Sequence, residues 1–512
     1  MMLQPLARPP RRMISTVMVI PPPYGGWNAR DDLEDMKPTD AVVLENVVPA
    51  DNGVVTRLGY EVWATGMPSA CLSLMEHNSP AGTSTLFGAT ATAIYNVTAQ
   101  AAVGAASLST LTNGYWQSCM FATAGGNFLV CVNGADGVRT YSGSAWATQT
   151  ITGATAANFI NVTSHQQRLW FVENNTLKVW YLATSAIAGA ATSIDLGPHS
   201  KLGGYLMAMA SWTRDGGAGM EDLAVFVTSR GELHIFEGTD PSSASTWSKV
   251  GTFKIPEPIG RRCMVKVGGD VGILTTQGLI PLSGVLQRAE SAQGRVAITD
   301  KIRKAFSDAY DDAATARGWC VQEYPVGKLL FINVPLIEGT DSMQFVMNAN
   351  TGAWCKFTGW DALDWSLSGT SLYWSTPSGT VNRYGSSTDN GANIIGTAVS
   401  AFNGFGTVRT KYFKRVRPQF FGPGGYRPAI GLTVDYSSDY AAVAAPAATT
   451  SGTAWDVGTW DVAAWAPPSR PSALWQAIRG AGFTAALVVG FNTPERVTYN
   501  GSKILFEAGD SL

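Results

Sequence analysis

The sequence predicts a mainly β protein: a β-propeller of about seven blades (six to eight fit), one inserted helix and a separate C-terminal β domain. Two observations predict it, and a third bears on its surface. A short apolar strand, a Gly or Asn turn and a second strand ending near an aromatic recur seven times, spaced by about 40–50 residues. Glycine is abundant, at 55 of 512 residues, as tight turns between short strands require. Charged residues make up only 14 % of the chain, against roughly 25 % in ordinary soluble domains, which suits a surface covered by other subunits.

The repeats run in order as TLFGATATAIYNVT (85–98), NFLVCVNGADGVRTYSGSAW (127–146), QRLWFVENNTLKVWYL (167–182) and DLAVFVTSRGELHIFEG (222–238). DVGILTTQGLIPLSG (270–284), GKLLFINVP with MQFVMNANTGAWCKF (327–357) and TSLYWSTPSGTVNRYG (370–385) complete the series. No such hairpin buries both faces alone, so neighbours must stack; an array of β-sandwiches is the structural alternative.

Residues 1–23 read as an extended arm, because six prolines among residues 5–23 bar a helix. With Arg8, Arg11 and Arg12 and no core of its own, the arm is expected to lie on a neighbour. Residues 24–395 hold a densely specified opening segment and the propeller. That segment, 24–60, carries Gly25, Gly26 and Trp27 and then six acids within 31–45, Asp31, Asp32, Glu34, Asp35, Asp40 and Glu45. Thr39 or Asp40 after Pro38 is expected to cap a short helical turn through DAVVLEN, and Asn52-Gly53 to turn the chain into an alternating strand. TDKIRKAFSDAYDDAATARGW (299–319) spaces Ile302, Ala305, Phe306, Ala309 and Ala313 as one helical face, with Thr299 or Asp300 as N-cap and Gly318 past the end. Residues 396–512 form the C-terminal β-rich domain, with strands expected within 394–420, 429–440, 485–491 and 503–509 and an Ala/Thr/Ser linker at 441–454.

A formal net charge of −2 implies no general attraction to nucleic acid or acidic lipid. The six cysteines include no CxxC pair and the four histidines are scattered, so neither a metal nor another cofactor is expected; the cysteines read as buried free thiols. The N-terminal apolar run ISTVMVI is too short for a signal peptide and ends in three prolines, and no stretch approaches 18 apolar residues.

Paired carboxylates across a cleft could hydrolyse glycosides. A dense acidic run on one short stretch more often faces solvent or a partner, however, and here it is read as an assembly surface. No G-x-S-x-G or P-loop is present. The S-x-D-x-G-x-T-W turn of sialidase-like propellers is not matched by DVGTW (456–460) or STWSK (245–249). No catalytic residue is therefore assigned. Candidate interface residues are Trp27, Arg30, Asp31, Asp32 and Asp35; the basic strand residues Arg409, Lys411, Lys414, Arg415 and Arg417; and Trp455, Trp460 and Trp465 at an interval of five. The basic strand could touch phosphate, or guard a sheet edge or pair with the acids of 31–45.

GGWNARDDLEDMKPTDAVVLENVVPADNGVVTRLGYEVWATG resembles the N-terminal signature of tail nozzle, tail tubular and packaged-DNA stabilisation proteins of short-tailed bacteriophages, a GGxNxRD…MxPxDAxxLxNxxPxxxGVxxRxGY pattern. VMNANTGAWCKFTGWDA (346–362), TDNGANI (388–394), the KYFKRVRP strand, the WDxxxWD repeat and the terminal FEAGDSL are similar as well. This sequence departs from the pattern at Val47-Val48 and by its N-terminal arm. The resemblance implies a virion structural component and not an enzyme. It would be a homo-hexameric ring below the portal and its adaptor, assembled in the host bacterial cytoplasm. The ring would continue the DNA channel without sequence-specific binding, retain packaged DNA and carry fibres or spikes. A fibre- or spike-attachment adaptor and a glycan-degrading propeller enzyme are the alternatives.

Overall fold

The computed structural model describes residues 15–215, 220–287, 297–423, 426–440 and 470–509. The chain divides into two units, one of Met1–Leu58, Ala353–Cys355 and Gly391–Leu512, the other of Gly59–Gly352 and Lys356–Asn390.

The second unit is the propeller. Six sheets stand as separate blades, and a seventh position in the ring is filled by the three strands Cys320–Tyr324, Leu329–Ile337 and Asp341–Asn348. All seven hairpins expected from the sequence are present, each as the second and third strands of its sector. They are Ser84–Ala89 with Ile94–Asn96, Gly126–Val132 with Val138–Tyr141, Arg168–Glu173 with Lys178–Tyr181, and Met220–Thr228 with Glu232–Gly238. Asp270–Thr275 with Gly278–Pro281, Leu329–Ile337 with Asp341–Asn348 and Ser371–Ser375 with Val381–Ser386 complete the set. The first strand of each sector lies inside and touches the first strand of the next, from Ser73–Asn78 round to Asp364–Ser368 and back.

Blade faces are apolar, and the core lies between them. Phe121, Val130, Phe159, Phe171 and Leu182 pack the second blade on the third, and Ile160, Trp170, Leu206, Phe226 and Phe236 pack the third on the fourth. Each such side chain contributes roughly 1.5–3 kcal/mol on burial. The last blade borrows a strand from the start of the unit: Gly59–Thr65 pairs antiparallel with Val381–Ser386. Trp360 and Trp374 stack at 4.6 Å beside this joint, Tyr60 meets Trp374 edge-on at 5.3 Å, and Arg383 lies 4.2 Å from the Trp63 ring centre.

The expected helix is present but shorter. A 3-10 turn, Asp300–Ile302, leads into an α-helix, Arg303–Ala313, with Ile302, Phe306, Ala309 and Ala313 buried. Thr299 does not cap it, because its hydroxyl oxygen instead accepts the Leu279 N–H at 3.2 Å. A second short helix, Leu282–Gln287, was not foreseen; Asp270 accepts hydrogen bonds from Ser283 at its start.

The first unit is two packed sheets. One carries Lys411–Gly422, Thr498–Ala508, Gly53–Thr56 and Val47–Ala50, the other Asp40–Glu45, Ile394–Ser400, Ala485–Thr493 and Ala429–Val434. Aromatics fill the space between, with Phe420 at 6.1 Å from Phe491 and 5.2 Å from Tyr499. Three expectations change here. DAVVLEN is a strand and not a helical turn: Ala41, Val43, Leu44 and Glu45 pair with residues of Ile394–Ser400 (Val43 with Val399), Val42 sits at a break in register, and that ladder outweighs the local cap signal. The segment 24–58 belongs with the C-terminal strands and not with the propeller, because Asp40–Glu45 and Gly53–Thr56 are strands of their sheets. Ser15–Ile20 does not extend to a neighbour; it pairs antiparallel with Thr498–Ala508 from Ser15–Glu507 to Ile20–Ser502. The earlier part of the arm and the linker 441–454 lie outside the described residues.

All six cysteines are unpaired, and burial pushes the thiols of Cys71, Cys263 and Cys320 up to about 12. Among the described residues no helix is long and apolar enough to cross a membrane.

Two buried histidines make the propeller acid-sensitive. Burial lowers His165 and His234 from 6.5 to about 4. Their Nδ1 atoms meet Ser211 Oγ at 2.8 Å and Thr252 Oγ1 at 3.1 Å, while each Nε2 is buried without a hydrogen-bond partner. A neutral ring is thus favoured in the folded state, and protonation favours the unfolded chain. The stabilisation is complete above about pH 6.5 and is lost as pH falls toward 4, by on the order of 3 kcal/mol for a shift of this size, with the nearby Glu232 charge opposing the shift at His234. Urea midpoints measured from pH 7.5 to 4 should fall in that window, and His165→Gln with His234→Gln should flatten the curve.

Candidate functional site

Three places claim attention, each built by one unit. The first is the acidic opening segment. Gly26 adopts φ +86°, and a Cβ there would lie 2.8 Å from the Trp354 backbone, so only glycine fits. Asn28 is buried and organises the acids around it. Its side-chain oxygen accepts the Arg30 and Asp31 N–H groups at 3.0 and 3.1 Å. Its amide donates to Asp31 Oδ2 and Asp40 Oδ2, both at 2.9 Å. Arg30 closes on Asp31 at 2.7 Å. Asp40 is buried, Trp27 and Asp31 are half-buried, and Arg30, Asp32 and Asp35 are exposed. Farther on, Asn46 takes a left-handed conformation (φ 56°), accepts from Arg57 Nε at 2.8 Å and donates to Ile395 O at 2.9 Å. The acids are therefore split between a folded hub and an outer rim.

The second place is the strand Lys411–Gly422. Lys411 is buried, with Nζ donating to the carbonyls of Thr407, Arg409 and Phe483 at 2.7, 3.0 and 2.6 Å. Its charge staples backbone and is not offered to a partner, and burial holds its pKa below the usual lysine value. Lys414 pairs with Glu507 at 3.3 Å and Arg417 donates to Ala473 O at 3.0 Å, while Arg409 and Arg415 are exposed. Those partners come from strands of the same unit and not from the acids of 31–45. Trp455, Trp460 and Trp465 lie outside the described residues.

The third place, unforeseen from the sequence, is the propeller axis. A cavity of about 540 Å³ is lined by residues of all seven first strands, among them Leu74, Gln117, Asn161, Met209, Met264, Gln322 and Asp364. A second cavity of about 550 Å³, here called the mouth, shares Gln117, Arg261 and Arg262 with its wall. Arg262, in the loop before the fifth blade, reaches across the ring. It pairs with Asp364 at 2.7 Å, and donates to Ser73 Oγ at 2.7 Å and to Trp116 O at 3.2 Å. Asp364 also accepts the Leu74 N–H at 2.9 Å. Burial raises the Asp364 carboxyl, opposed by Arg262 and by the N–H groups of Leu74 and Trp365. Arg261 lines the mouth with Arg317, whose guanidinium carbon lies 4.6 Å from the Tyr115 ring centre. The consecutive arginines of PIGRRC, in a loop between two strands, were the available signal. Among the described residues no cluster of His, Cys, Asp and Glu could hold a metal ion.

No family model and no curated protein matches the chain. Solved structures that resemble it include the computationally designed Ika8 protein, at 10 % identity and TM-score 0.36, over 67 % of this chain and 96 % of that one. Another is BBS1N in complex with ARL6DN, at 10 % identity and TM-score 0.42, over 64 % of this chain and 97 % of that one. Neither likeness is close enough to bear on function.

These contacts set the expected cost of removing them. Asn28→Ala should lower the unfolding free energy by roughly 1–3 kcal/mol, since it strips two donors from carboxylates and an acceptor from two N–H groups. Asp32→Asn, on the rim, should change it by under about 0.5 kcal/mol in the same urea titration. Arg262→Met leaves Asp364 buried without its cation and should cost about 3–5 kcal/mol, whereas Arg262→Met with Asp364→Leu should recover much of that loss.

Proposed function

We propose that this chain is a structural subunit of a bacteriophage tail and not an enzyme. In this reading copies of it form a ring, six around the axis, that continues the DNA channel, helps retain packaged DNA and carries fibres or spikes. Its neighbours would be the portal or adaptor protein on one side and a fibre or spike on the other. The family reading comes from the sequence resemblance. What supports it is that most positions of the shared pattern are ones the fold needs: Gly26, Asn28, Asp40, Ala41, Leu44, Asn46, Gly53, Val54 and Arg57 are buried or conformationally fixed, whereas Arg30 and Pro38 are exposed. A pattern set by such positions travels with a fold and not with a catalytic centre.

The observation that carries the assembly reading is the apolar surface of the unit built from the two chain ends. Val17, Val19, Ile395, Tyr412, Phe421, Leu474 and Trp475 are exposed there, and Val408 is 91 % exposed. In a ring, a second copy of the chain is the occupant that would cover these side chains. Near-neutral charge suits a channel that passes DNA without gripping it.

Native mass measurement of the purified full chain should give a closed oligomer, hexameric in this reading. Ile395→Asp with Val408→Asp should shift it to monomer without lowering the melting temperature. A wild-type chain that stays monomeric at high micromolar concentration would sink the ring. Release of glycan from host envelopes, abolished by substituting Asp31, Asp32 or Asp35, would replace the structural reading with the enzymatic one.

A further inference from the structure

The mouth of the propeller axis is a cavity lined, among the described residues, by three arginines and no carboxylate. Its polar wall is made by Arg261, Arg262 and Arg317 with Asn113, Asn174 and Asn175, and Tyr115 and Tyr205 contribute ring surface. The acids around it decide its charge. Asp364 lies 2.7 Å from Arg262 and neutralises it. Asp136 is engaged by the Thr112 N–H and hydroxyl and by the Asn133 amide, at 2.5 to 3.1 Å. Glu338 comes only to 3.9 Å from Arg317, with both side chains about half open to water or more. Arg261 donates to a neutral acceptor, Asn174 Oδ1, at 3.2 Å. Two guanidinium groups, Arg261 and Arg317, thus face one cavity with little compensating charge, and they repel one another: burial, and then the Arg317 charge, hold Arg261 below its ordinary pKa.

Like charges gathered in a concave site raise the local concentration of counter-ions, and a guanidinium fork matches the oxygens of carboxylate or phosphate. The volume, about 550 Å³, exceeds what an inorganic anion fills and lies within the usual range for small-molecule pockets. We propose that this mouth binds a small organic polyanion, its phosphate or carboxylate groups held between Arg261 and Arg317 and its body resting against the Asn and Tyr wall. The site stands apart from the tail reading: it belongs to the propeller alone and requires no ring.

Isothermal titration of the full chain at low ionic strength, with pyrophosphate, citrate and neutral glucose as probes, tests it. Saturable binding of pyrophosphate, of citrate or of both is expected, and the preference assigns phosphate or carboxylate; glucose should not bind. Affinity should fall as salt is raised. Arg261→Gln and Arg317→Gln should each weaken binding about tenfold or more, the size of one lost charge-assisted hydrogen bond. Arg230→Gln, on an exposed pair with Glu257, should leave it unchanged. Melting curves confirm that each variant is folded. Absence of saturable binding to the wild-type chain by either anion at millimolar concentration overturns the proposal. So does wild-type affinity in the folded double variant, or equal loss in Arg230→Gln.

Discussion

A ring of sheets must bring its last member back to its first, and a buried ion pair is one of the contacts that joins them here. Arg262 and Asp364 lie 2.7 Å apart, on elements distant from each other in sequence, and between them they hold the first strands of the first and last blades. Burying two charges is costly, and only good geometry with further hydrogen bonds offsets it. Both conditions are met: Leu74 donates to Asp364, and Ser73 and Trp116 accept from Arg262. An apolar pair of the same volume would tolerate slippage of one blade against the next, whereas this pair is satisfied in one register. The same bond sets the electrostatics of the axis. By consuming the Arg262 charge, Asp364 leaves Arg261 and Arg317 as the net charge of the mouth.

What the sequence made legible was local. Each hairpin is an apolar run, a turn signal and a second run, so its evidence lies within about twenty residues. The helix at Arg303–Ala313 was readable for the same reason, since its buried face repeats every three or four positions. DAVVLEN was misread because a cap residue and a short apolar run suit a helix or a strand equally, and the deciding partner, Ile394–Ser400, is distant in sequence. Lys411 shows the same limit at a single residue. In a run of basic residues it looks like surface, and only the fold gathers the three carbonyls that receive its ammonium group. Of the axis only the paired arginines of PIGRRC left a trace in the sequence, because strands from all round the propeller contribute to it.

The opening segment changes meaning once Asn28 is seen at its centre. Six acids in a short stretch suggest chemistry, but a general acid and base need two carboxyl groups facing a common cleft. Asn28 instead ties Asp31 and Asp40 to one amide and fixes the turn with its oxygen. Those two acids are thereby committed to the fold. Asp32 and Asp35, on the exposed rim, are open to meet another surface.

The chain order then explains why two such different units can share one polypeptide. The sheets of the first unit pair residues near the start with residues near the end, Ala41 with Ser400 and Val54 with Tyr499. Left to a flexible chain, closing so long a loop would carry a large entropic cost. The propeller removes most of it. Its own closure sets Gly59–Thr65 against Val381–Ser386, and the points where the chain enters and leaves are pinned together: Tyr60 bridges Asp389, and the Asn390 N–H donates to Tyr60 O at 2.8 Å. Within the propeller, therefore, the strand pairing at Gly59–Thr65 and the Arg262–Asp364 bond act on the same joint from two sides, one fixing the outer strands of the last blade and the other its first strand.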